Sequence, residues 1–177
     1  MFIIIDTEFT SWKGALKRNW SKINEYKELI QIGYLIFDNN LNIIDKGSIY
    51  FKPKINPILS KYFINLTNIS QKLINKHGND FLSGIKKFWK IVSDNIIVSY
   101  GDDLNIIYYN YKIYNYKIPI KKINYVNIKP LIHKRYIINN LTSGELYKLT
   151  PFTNKKSHNH NAEWALYSIY LFITHYK

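Results

Sequence analysis

The sequence predicts an α/β domain in which helices cover a mixed β-sheet. Strand-like apolar runs alternate with helical patterns, and two neighbouring runs near the start read as a hairpin. Phe2 to Ile5 is a continuous β-branched and aromatic run, which is typical of a central buried strand. Leu29 to Phe37 and Ile43 to Phe51 are separated by the turn residues Asp38 to Asn40, so they predict a hairpin beside that strand.

The rest of the chain predicts the helices and the remaining strands. Pro53 and Pro57 exclude a helix interior and predict an extended crossing, after which Ser60 and Thr67 are candidate helix caps. Apolar residues at helical spacing predict that the next helix packs on the sheet. The expected elements are a helix at Phe81 to Val92, a strand at Ile96 to Tyr100, a helix from Asp103 to about Tyr114, a strand at Tyr125 to Leu131, a short helix at Ser143 to Leu149 and a last helix at Ala162 to Thr174.

Length and composition favour a single domain over residues 1–177. With 177 residues, 46% of them apolar, the chain can bury one core but is short for two typical domains. Because cysteine is absent, a disulfide framework and a thiolate zinc site are excluded, and a metal would need oxygen or histidine ligands. No apolar run is long enough to span a membrane and no leader precedes the first strand, so we expect a soluble, cytoplasmic protein without a membrane partner.

The chain is strongly basic, with a formal net charge of +13. This charge favours an anionic partner such as a phosphate backbone. However, only Arg18 and Arg135 are arginine among the 25 basic residues, and Lys, Asn, Ile and Tyr are abundant, as expected when an AT-rich genome shapes codon usage. A selected basic surface and compositional drift both explain the charge.

Two carboxylates stand at the end of the first predicted strand, in Ile5-Asp6-Thr7-Glu8. Because a strand projects residues i and i+2 to the same side, Asp6 and Glu8 would present their carboxylates together. Two negative charges placed there need a counter-ion, and Mg²⁺ prefers carboxylate oxygens as ligands. Taken alone, the pattern fits a strand that ends in an exposed turn equally well.

Further candidate groups lie at two predicted helix starts. Asp102 and Asp103 follow a strand at a helix N-terminus, which favours negative charge. Asp103 is the better chemical candidate because apolar residues follow it at helical spacing, whereas Asp102 capping the helix is the alternative. His158 and His160 precede the last helix, where a histidine is usually structural. In the company of carboxylates, a histidine is also the group that can take a proton from water.

Four stretches of the chain carry a family resemblance. They are IDTEFT at 5–10, the segment 28–70 with its PKINPILS and LTNIS motifs, SYGDDLNII at 99–107 and HNAEW at 160–164. Together they resemble the DEDDh exonucleases of the DnaQ-like, ribonuclease H fold superfamily, nearest the branch that trims histone mRNA and small RNAs. The resemblance implies a ribonuclease H-like exonuclease fold with a central mixed five-stranded sheet flanked by helices. It also implies metal-dependent 3′→5′ removal of nucleotides from single-stranded ends of RNA or DNA, with RNA slightly favoured.

The resemblance also implies roles for individual residues. Asp6 and Glu8 would bind two catalytic Mg²⁺ or Mn²⁺ ions, and Asp103 would support the second ion. His160 would be the general base that takes a proton from the attacking water, without a covalent enzyme intermediate. The residues expected to contact the substrate are Thr7, Phe9, Thr10, Trp12 and Tyr100.

One position departs from the family pattern H-x-A-x-x-D. Counted from His160, the place of the aspartate, a metal ligand in the family, is taken by Ala165, which cannot bind metal. One explanation is an engineered inactive variant, which would be nearly inactive. A second is a motif shifted by two residues, which pairs His158 with Glu163 and predicts an active enzyme. A third is natural loss of activity, with the protein retained as a binding module.

Basic and aromatic residues interleave in the segment from Ser11 to Glu25, directly after the first strand. They predict a substrate-facing flap, because aromatic faces stack unpaired bases and cations attract phosphates. A solvated surface helix is the alternative. The rival functions are a catalytically silent nucleic-acid-binding module and a proofreading subunit of a polymerase assembly. Besides a single-stranded 3′ end, the expected partners are a second copy in a homodimer or a larger nucleic-acid-processing assembly.

Overall fold

A five-stranded mixed sheet forms the centre of the molecule. The computed structural model describes residues 1–93, 95–119, 123–136, 141–151 and 162–176. The strands are β1 Phe2–Phe9, β2 Leu29–Phe37, β3 Ile43–Tyr50, β4 Ile96–Ser99 and β5 Tyr125–Asn127, in the order β3-β2-β1-β4-β5. β2 pairs antiparallel with β1 and β3, whereas β4 pairs parallel with β1 and β5. The expected mixed sheet is therefore confirmed, with the buried strand β1 at its centre.

Six α-helices and one 3-10 helix are found in the described part of the chain. They are α1 Lys61–Thr67, α2 Gln71–His77, α3 Phe81–Val92, α4 Asp103–Ile113, α5 Lys129–Arg135, the 3-10 helix Ser143–Leu149 and α6 Ala162–His175. The predicted bounds of α3 are confirmed. Ser60 caps α1 as expected, since its hydroxyl accepts from the Phe63 amide. None of the described helices is long and apolar enough to cross a membrane.

Two details of the predicted elements are wrong. The strand expected at Tyr125 to Leu131 ends at Asn127, and helix α5 follows it with Pro130 in the first turn, where proline's missing N–H costs nothing. Thr67 is the last residue of α1 instead of a cap, and its hydroxyl donates to Phe63 O; Ser70 caps the next helix. The short helix predicted at Ser143 to Leu149 is confirmed with the same bounds and is of the 3-10 type.

Both faces of the sheet are covered, because residues of β1 alternate between two cores. Ile3 and Ile5 belong to the core shared with α3 and α4. Ile4 belongs to the core on the opposite face, which contains residues of α5, the 3-10 helix and α6. The even-numbered residues of β1, Asp6 and Glu8 among them, therefore project toward the α6 face.

Candidate active site

Helix α6 approaches the sheet closely beside Asp6. The strand partner of Asp6 is Gly33. A Cβ added to Gly33 would lie 3.0 Å from Ala162 Cβ and 3.0 Å from Leu166 Cδ1, so a larger residue at 33 would push α6 away. Gly33 thus brings the start of α6 next to the carboxyl end of β1.

Asp103 is held at the same end of the sheet by Thr7. The Thr7 amide donates to Asp103 Oδ1 over 2.8 Å, and the Thr7 hydroxyl donates to the same oxygen over 2.7 Å. Asp103 is the first residue of α4 and is buried. Asp102 occupies the N-cap position, but its side chain is exposed and makes no capping hydrogen bond. The interpretation of Asp102 as the helix-capping side chain is therefore wrong.

The carboxylates of Asp6, Glu8 and Asp103 interact with one another. Burial raises the pKa of Asp6 well above its ordinary value, and repulsion from Asp103 raises it further, while a hydrogen bond from the Ser143 hydroxyl lowers it. Burial, Asp6 and Asp103 together raise the pKa of Glu8 well above its ordinary value. Burial also raises the pKa of Asp103, against the two hydrogen bonds from Thr7. Three carboxyl groups that repel one another, of which Asp6 and Asp103 are buried, are therefore found at the carboxyl end of β1.

This concentration of charge fits a divalent cation, although the side chains alone do not form a closed metal cage. In residues 1–93, 95–119, 123–136, 141–151 and 162–176, no group of three or more acidic, histidine or cysteine side chains lies close enough to hold a metal ion. Over the same ranges, no ion pair joins the three carboxylates to a basic side chain. The donors are hard oxygens, and no basic side chain of the described segments neutralises them. This is the chemistry that Mg²⁺ and Mn²⁺ need, with water and substrate phosphate completing the coordination.

The residues expected to contact substrate fall into two groups. Phe9 and Trp12 are half-buried, so each is partly accessible from outside. Thr7, Thr10 and Tyr100 are buried, and their hydroxyls are engaged inside the protein. The Thr10 hydroxyl donates to Tyr26 O and accepts from the Glu28 amide, whereas the Tyr100 hydroxyl bonds His133 Nε2 and Leu141 O. The hydroxyls of these three residues organise the walls of the site.

Ala165 and Glu163, the two positions considered for a fourth carboxylate, lie in the first turn of α6. Ala165 is buried, with 2% of its surface exposed, whereas Glu163 is exposed. Because residues two apart on a helix point about 200° away from each other, Glu163 and Ala165 lie on opposite sides of α6. Ala165 shares the buried side with Ala162. His158 and His160 lie outside the described residues.

Two residues that the sequence did not single out support the site. The hydroxyl of Ser143, the first residue of the 3-10 helix, lowers the pKa of Asp6. Glu28 is fully buried, and its carboxylate accepts from the amides of residues 54, 55 and 56 and from the Tyr114 hydroxyl. The capping-box pattern Thr142-x-x-Glu145 could have located the helix that carries Ser143. No local pattern marks Glu28, whose partners are distant in sequence.

The segment from Ser11 to Glu25 is neither an extended flap nor a regular helix. It folds into successive turns, and Ala15 is fully buried beneath them. Arg18 and Glu25 form an ion pair within the segment. The Ser11 carbonyl accepts from the Ser60 hydroxyl, so the turns are tied to the loop that precedes α1. The surface-helix interpretation is therefore wrong.

The chain is similar in sequence to a known protein family. The family model described as Exonuclease, that of the RNase T type, matches residues 3–163. No curated protein sequence matches the chain.

Solved structures share the fold at low sequence identity. A 3′-exonuclease solved for its recognition of the 3′ end of the histone mRNA stem-loop is 20% identical, with a TM-score of 0.77 over 97% of this chain and 79% of that chain. The nuclease domain of 3′hExo, a DEDDh family member bound to rAMP, is 18% identical, with a TM-score of 0.75 over 98% of this chain and 91% of that one. The zinc-bound E. coli ExoI–ssDNA complex is 13% identical, with a TM-score of 0.68 over 98% and 40%. At these identities the likeness shows a ribonuclease H-like exonuclease fold.

Proposed function

Because the chain belongs to the exonuclease family, we propose that it is a metal-dependent 3′→5′ exonuclease that removes nucleotides from single-stranded ends of RNA or DNA. The observation that carries the proposal is the mutual repulsion of Asp6, Glu8 and Asp103, two of them buried, at the carboxyl end of β1. Holding carboxylates that repel one another in this environment is costly unless cations neutralise them. A phosphodiester hydrolase gains from this arrangement, because the cations that relieve the repulsion also serve the reaction.

The chain's own residues have separate tasks in this mechanism. Asp6 and Glu8 would hold two divalent ions, Mg²⁺ or Mn²⁺, with Asp103 supporting the second. When bound, such ions lower the pKa of the attacking water and stabilise the leaving oxygen. Thr7 keeps Asp103 in place through two hydrogen bonds. His160 would accept a proton from the water, in line with the family pattern around it.

Support for the substrate class comes from the structural relatives. One relative recognises the 3′ end of a histone mRNA stem-loop, another was solved with rAMP, and a third with single-stranded DNA. We therefore propose single-stranded 3′ ends as substrates. RNA is placed ahead of DNA because this chain covers 79% and 91% of the two RNA-related structures but 40% of the DNA-bound one. The net charge of +13 favours either polyanion.

The test follows a 5′-labelled oligonucleotide with the purified protein and Mg²⁺. We expect stepwise shortening from the 3′ end, no shortening in EDTA, and loss of the metal-dependent activity in Asp6→Asn. Asp45→Asn is the matched control, because Asp45 is an exposed acid on β3. If Asp6→Asn kept the activity of the wild type, the proposed mechanism would be wrong.

A second candidate function is favoured by Ala165. A buried alanine at the place where the family pattern has a metal-binding aspartate is the expected result of losing catalysis while keeping the fold. In that case the protein would be a catalytically silent nucleic-acid-binding module, or a subunit of a larger assembly such as a polymerase with its proofreading partner. Binding of single strands without Mg²⁺-dependent cleavage distinguishes this candidate from the exonuclease.

A further inference from the structure

The segment between β1 and β2 contains one strained aromatic residue, Trp20. A helical turn ends there: the Asn19 amide donates to Leu16 O and the Trp20 amide donates to Ala15 O. This pattern closes many helices and places a left-handed residue at the position of Asn19, which has φ 50°. Trp20 has φ 52° as well, although the closing pattern requires no second left-handed residue. A bulky side chain in that region is an outlier.

Three contacts hold the Trp20 side chain against the end of β1. Its indole N–H donates to Thr10 O over 2.9 Å. Its ring centroid lies 5.4 Å from that of Phe9, at a tilt of 54°. Lys27 Nζ lies 4.6 Å from the centroid of the Trp20 ring. Strained backbone persists where surrounding contacts over-determine it, and such places cluster at binding sites.

The contacts of Trp20 act on the two residues that directly follow the carboxylates of β1. Phe9 comes after Glu8 and is half-buried, so part of the residue is accessible from outside. Thr10 is fixed by its hydroxyl, which bonds Tyr26 O and the Glu28 amide, and by its carbonyl, which accepts from Trp20. A ring that stacks on a base must be held in one orientation, since each free rotamer weakens the stack. Trp20 supplies that restraint for Phe9.

We propose that Trp20 is a positioning residue that fixes Phe9 against the base of the 3′-terminal nucleotide and thereby gives the protein a preference for an intact terminal base. This inference rests on the proposed function, because it needs a 3′ end at the carboxylates. Trp20 itself acts through Phe9 and Thr10. The strain at residue 20 is maintained because the indole reaches both of them from that backbone conformation.

The test compares two oligothymidylates that carry the same 5′-fluorescein. One ends in a normal nucleotide and the other in an abasic residue with a free 3′-hydroxyl, and binding is followed by fluorescence anisotropy with Ca²⁺ in place of Mg²⁺. Wild-type protein should bind the normal end more tightly. Trp20→Phe, which lacks the indole N–H, should reduce the ratio of the two Kd values by roughly threefold to tenfold. In Mg²⁺ the same variant should raise KM more than it lowers kcat.

The matched control is Trp89→Phe. The Trp89 indole donates to the Tyr111 hydroxyl, and both rings belong to the core on the opposite face of the sheet. We expect this variant to lose stability but to keep the wild-type Kd ratio. If Trp20→Phe does not fold, Trp20→Tyr is measured in its place with the same expectation, since tyrosine also lacks a donor at the indole position.

Two outcomes overturn the inference and separate it from the proposed function. An unchanged Kd ratio in the Trp20 variants, together with Mg²⁺-dependent cleavage by the wild type, overturns the role of Trp20 alone. Equal binding of both strands by the wild type also overturns the role of Trp20, because no terminal base is then recognised. If the wild type binds neither strand and cleaves neither in Mg²⁺, the proposed function itself is wrong.

Discussion

Thr7 donates two hydrogen bonds to one oxygen of Asp103, a residue 96 positions later in the chain. One donor is the backbone amide and the other is the hydroxyl, so β1 and the first turn of α4 are joined at a carboxylate. Asp6 and Glu8 flank Thr7 in sequence and project to the other face. The threonine therefore connects the two halves of the acidic site while the residues beside it supply the charge.

Replacing Thr7 by valine should weaken this connection. Thr7→Val keeps the shape and the backbone donor but removes the hydroxyl, so we expect the free energy of unfolding at neutral pH to fall by about 1–2 kcal/mol. The loss should shrink as pH falls through the raised pKa of Asp103, because below it the folded protein carries a protonated Asp103 with or without the hydroxyl. Urea denaturation at several pH values measures it.

The control for this variant is Thr67→Val. The Thr67 hydroxyl is also buried, but it donates to the neutral Phe63 carbonyl. Its loss should therefore be nearly independent of pH. An equal pH dependence in the two variants would contradict the electrostatic role of Thr7.

Without metal, the carboxylates should destabilise the fold as pH rises. The pKa values of Asp6, Glu8 and Asp103 are raised in the folded state, so this state keeps their protons longer than the unfolded chain does. Their contribution to stability is full below the ordinary values of 3.8 and 4.5 and is lost as pH rises through the raised values. In EDTA, wild type should therefore lose stability relative to Asp6→Asn over that range.

Mg²⁺ should make the wild type more stable than Asp6→Asn, the reverse of their order in EDTA. A cation binds more tightly to the protein that offers it more carboxylate ligands, so Mg²⁺ should raise the melting temperature of the wild type more than that of Asp6→Asn. Thermal unfolding in EDTA and in Mg²⁺ gives both comparisons. If the difference in stability between the wild type and Asp6→Asn in EDTA did not change with pH, the carboxylates would not interact as described.

Replacing Glu28 should lower the free energy of unfolding more than replacing an exposed acid does. Glu28→Gln replaces a carboxylate oxygen by an NH₂ group facing the donors at Asn56, so we expect the free energy of unfolding to fall by about 2–4 kcal/mol. Asp45→Asn is the control and should change it little, because Asp45 is an exposed acid on β3. Chemical denaturation measures both; similar losses would contradict the account of Glu28.

Placing an aspartate at residue 165 should restore a missing ligand. Ala165→Asp is expected to raise Mg²⁺-dependent cleavage by at least about tenfold, the minimum effect of completing a metal site. In EDTA it should cost about 3 kcal/mol or more of stability, since the position is 2% exposed. Ala165→Asn is the matched control, with the same size and no charge.

The other outcomes of this substitution separate the remaining explanations. Activity that is already present in the wild type and unchanged in Ala165→Asp favours the shifted motif with His158 and Glu163. Binding without cleavage in the wild type and the variant favours the silent module. In both cases the engineered-variant explanation is wrong.

The elements with strong periodicity could be predicted from the sequence, and those set by distant contacts could not. The apolar spacing of Phe81 to Val92 gave the bounds of α3, because that helix buries one continuous stripe. The sequence missed α5 because Pro130 signals a break in most contexts, although the first turn of a helix tolerates it. β5 is only three residues long and is defined by pairing with β4, which local pattern does not encode.

The same division holds for the site. The spacing of Asp6 and Glu8 within a strand was enough to predict that they share a side, and Asp103 was identified from its place at a helix start. The effect of Ser143 on the pKa of Asp6 and the burial of Glu28 depend on chain segments that meet only in the folded molecule. The closeness of Ala162 to Gly33 has the same origin.

Binding of Mn²⁺ is the most direct test of the acidic site, because it does not require the chain to be active. Titration of Mn²⁺ followed by electron paramagnetic resonance should show bound metal in the wild type and in the exposed-acid control Asp45→Asn, and strongly weakened binding in Asp6→Asn. Equal binding by wild type and Asp6→Asn, or no binding by the wild type, would contradict the account that these buried carboxylates hold the metal.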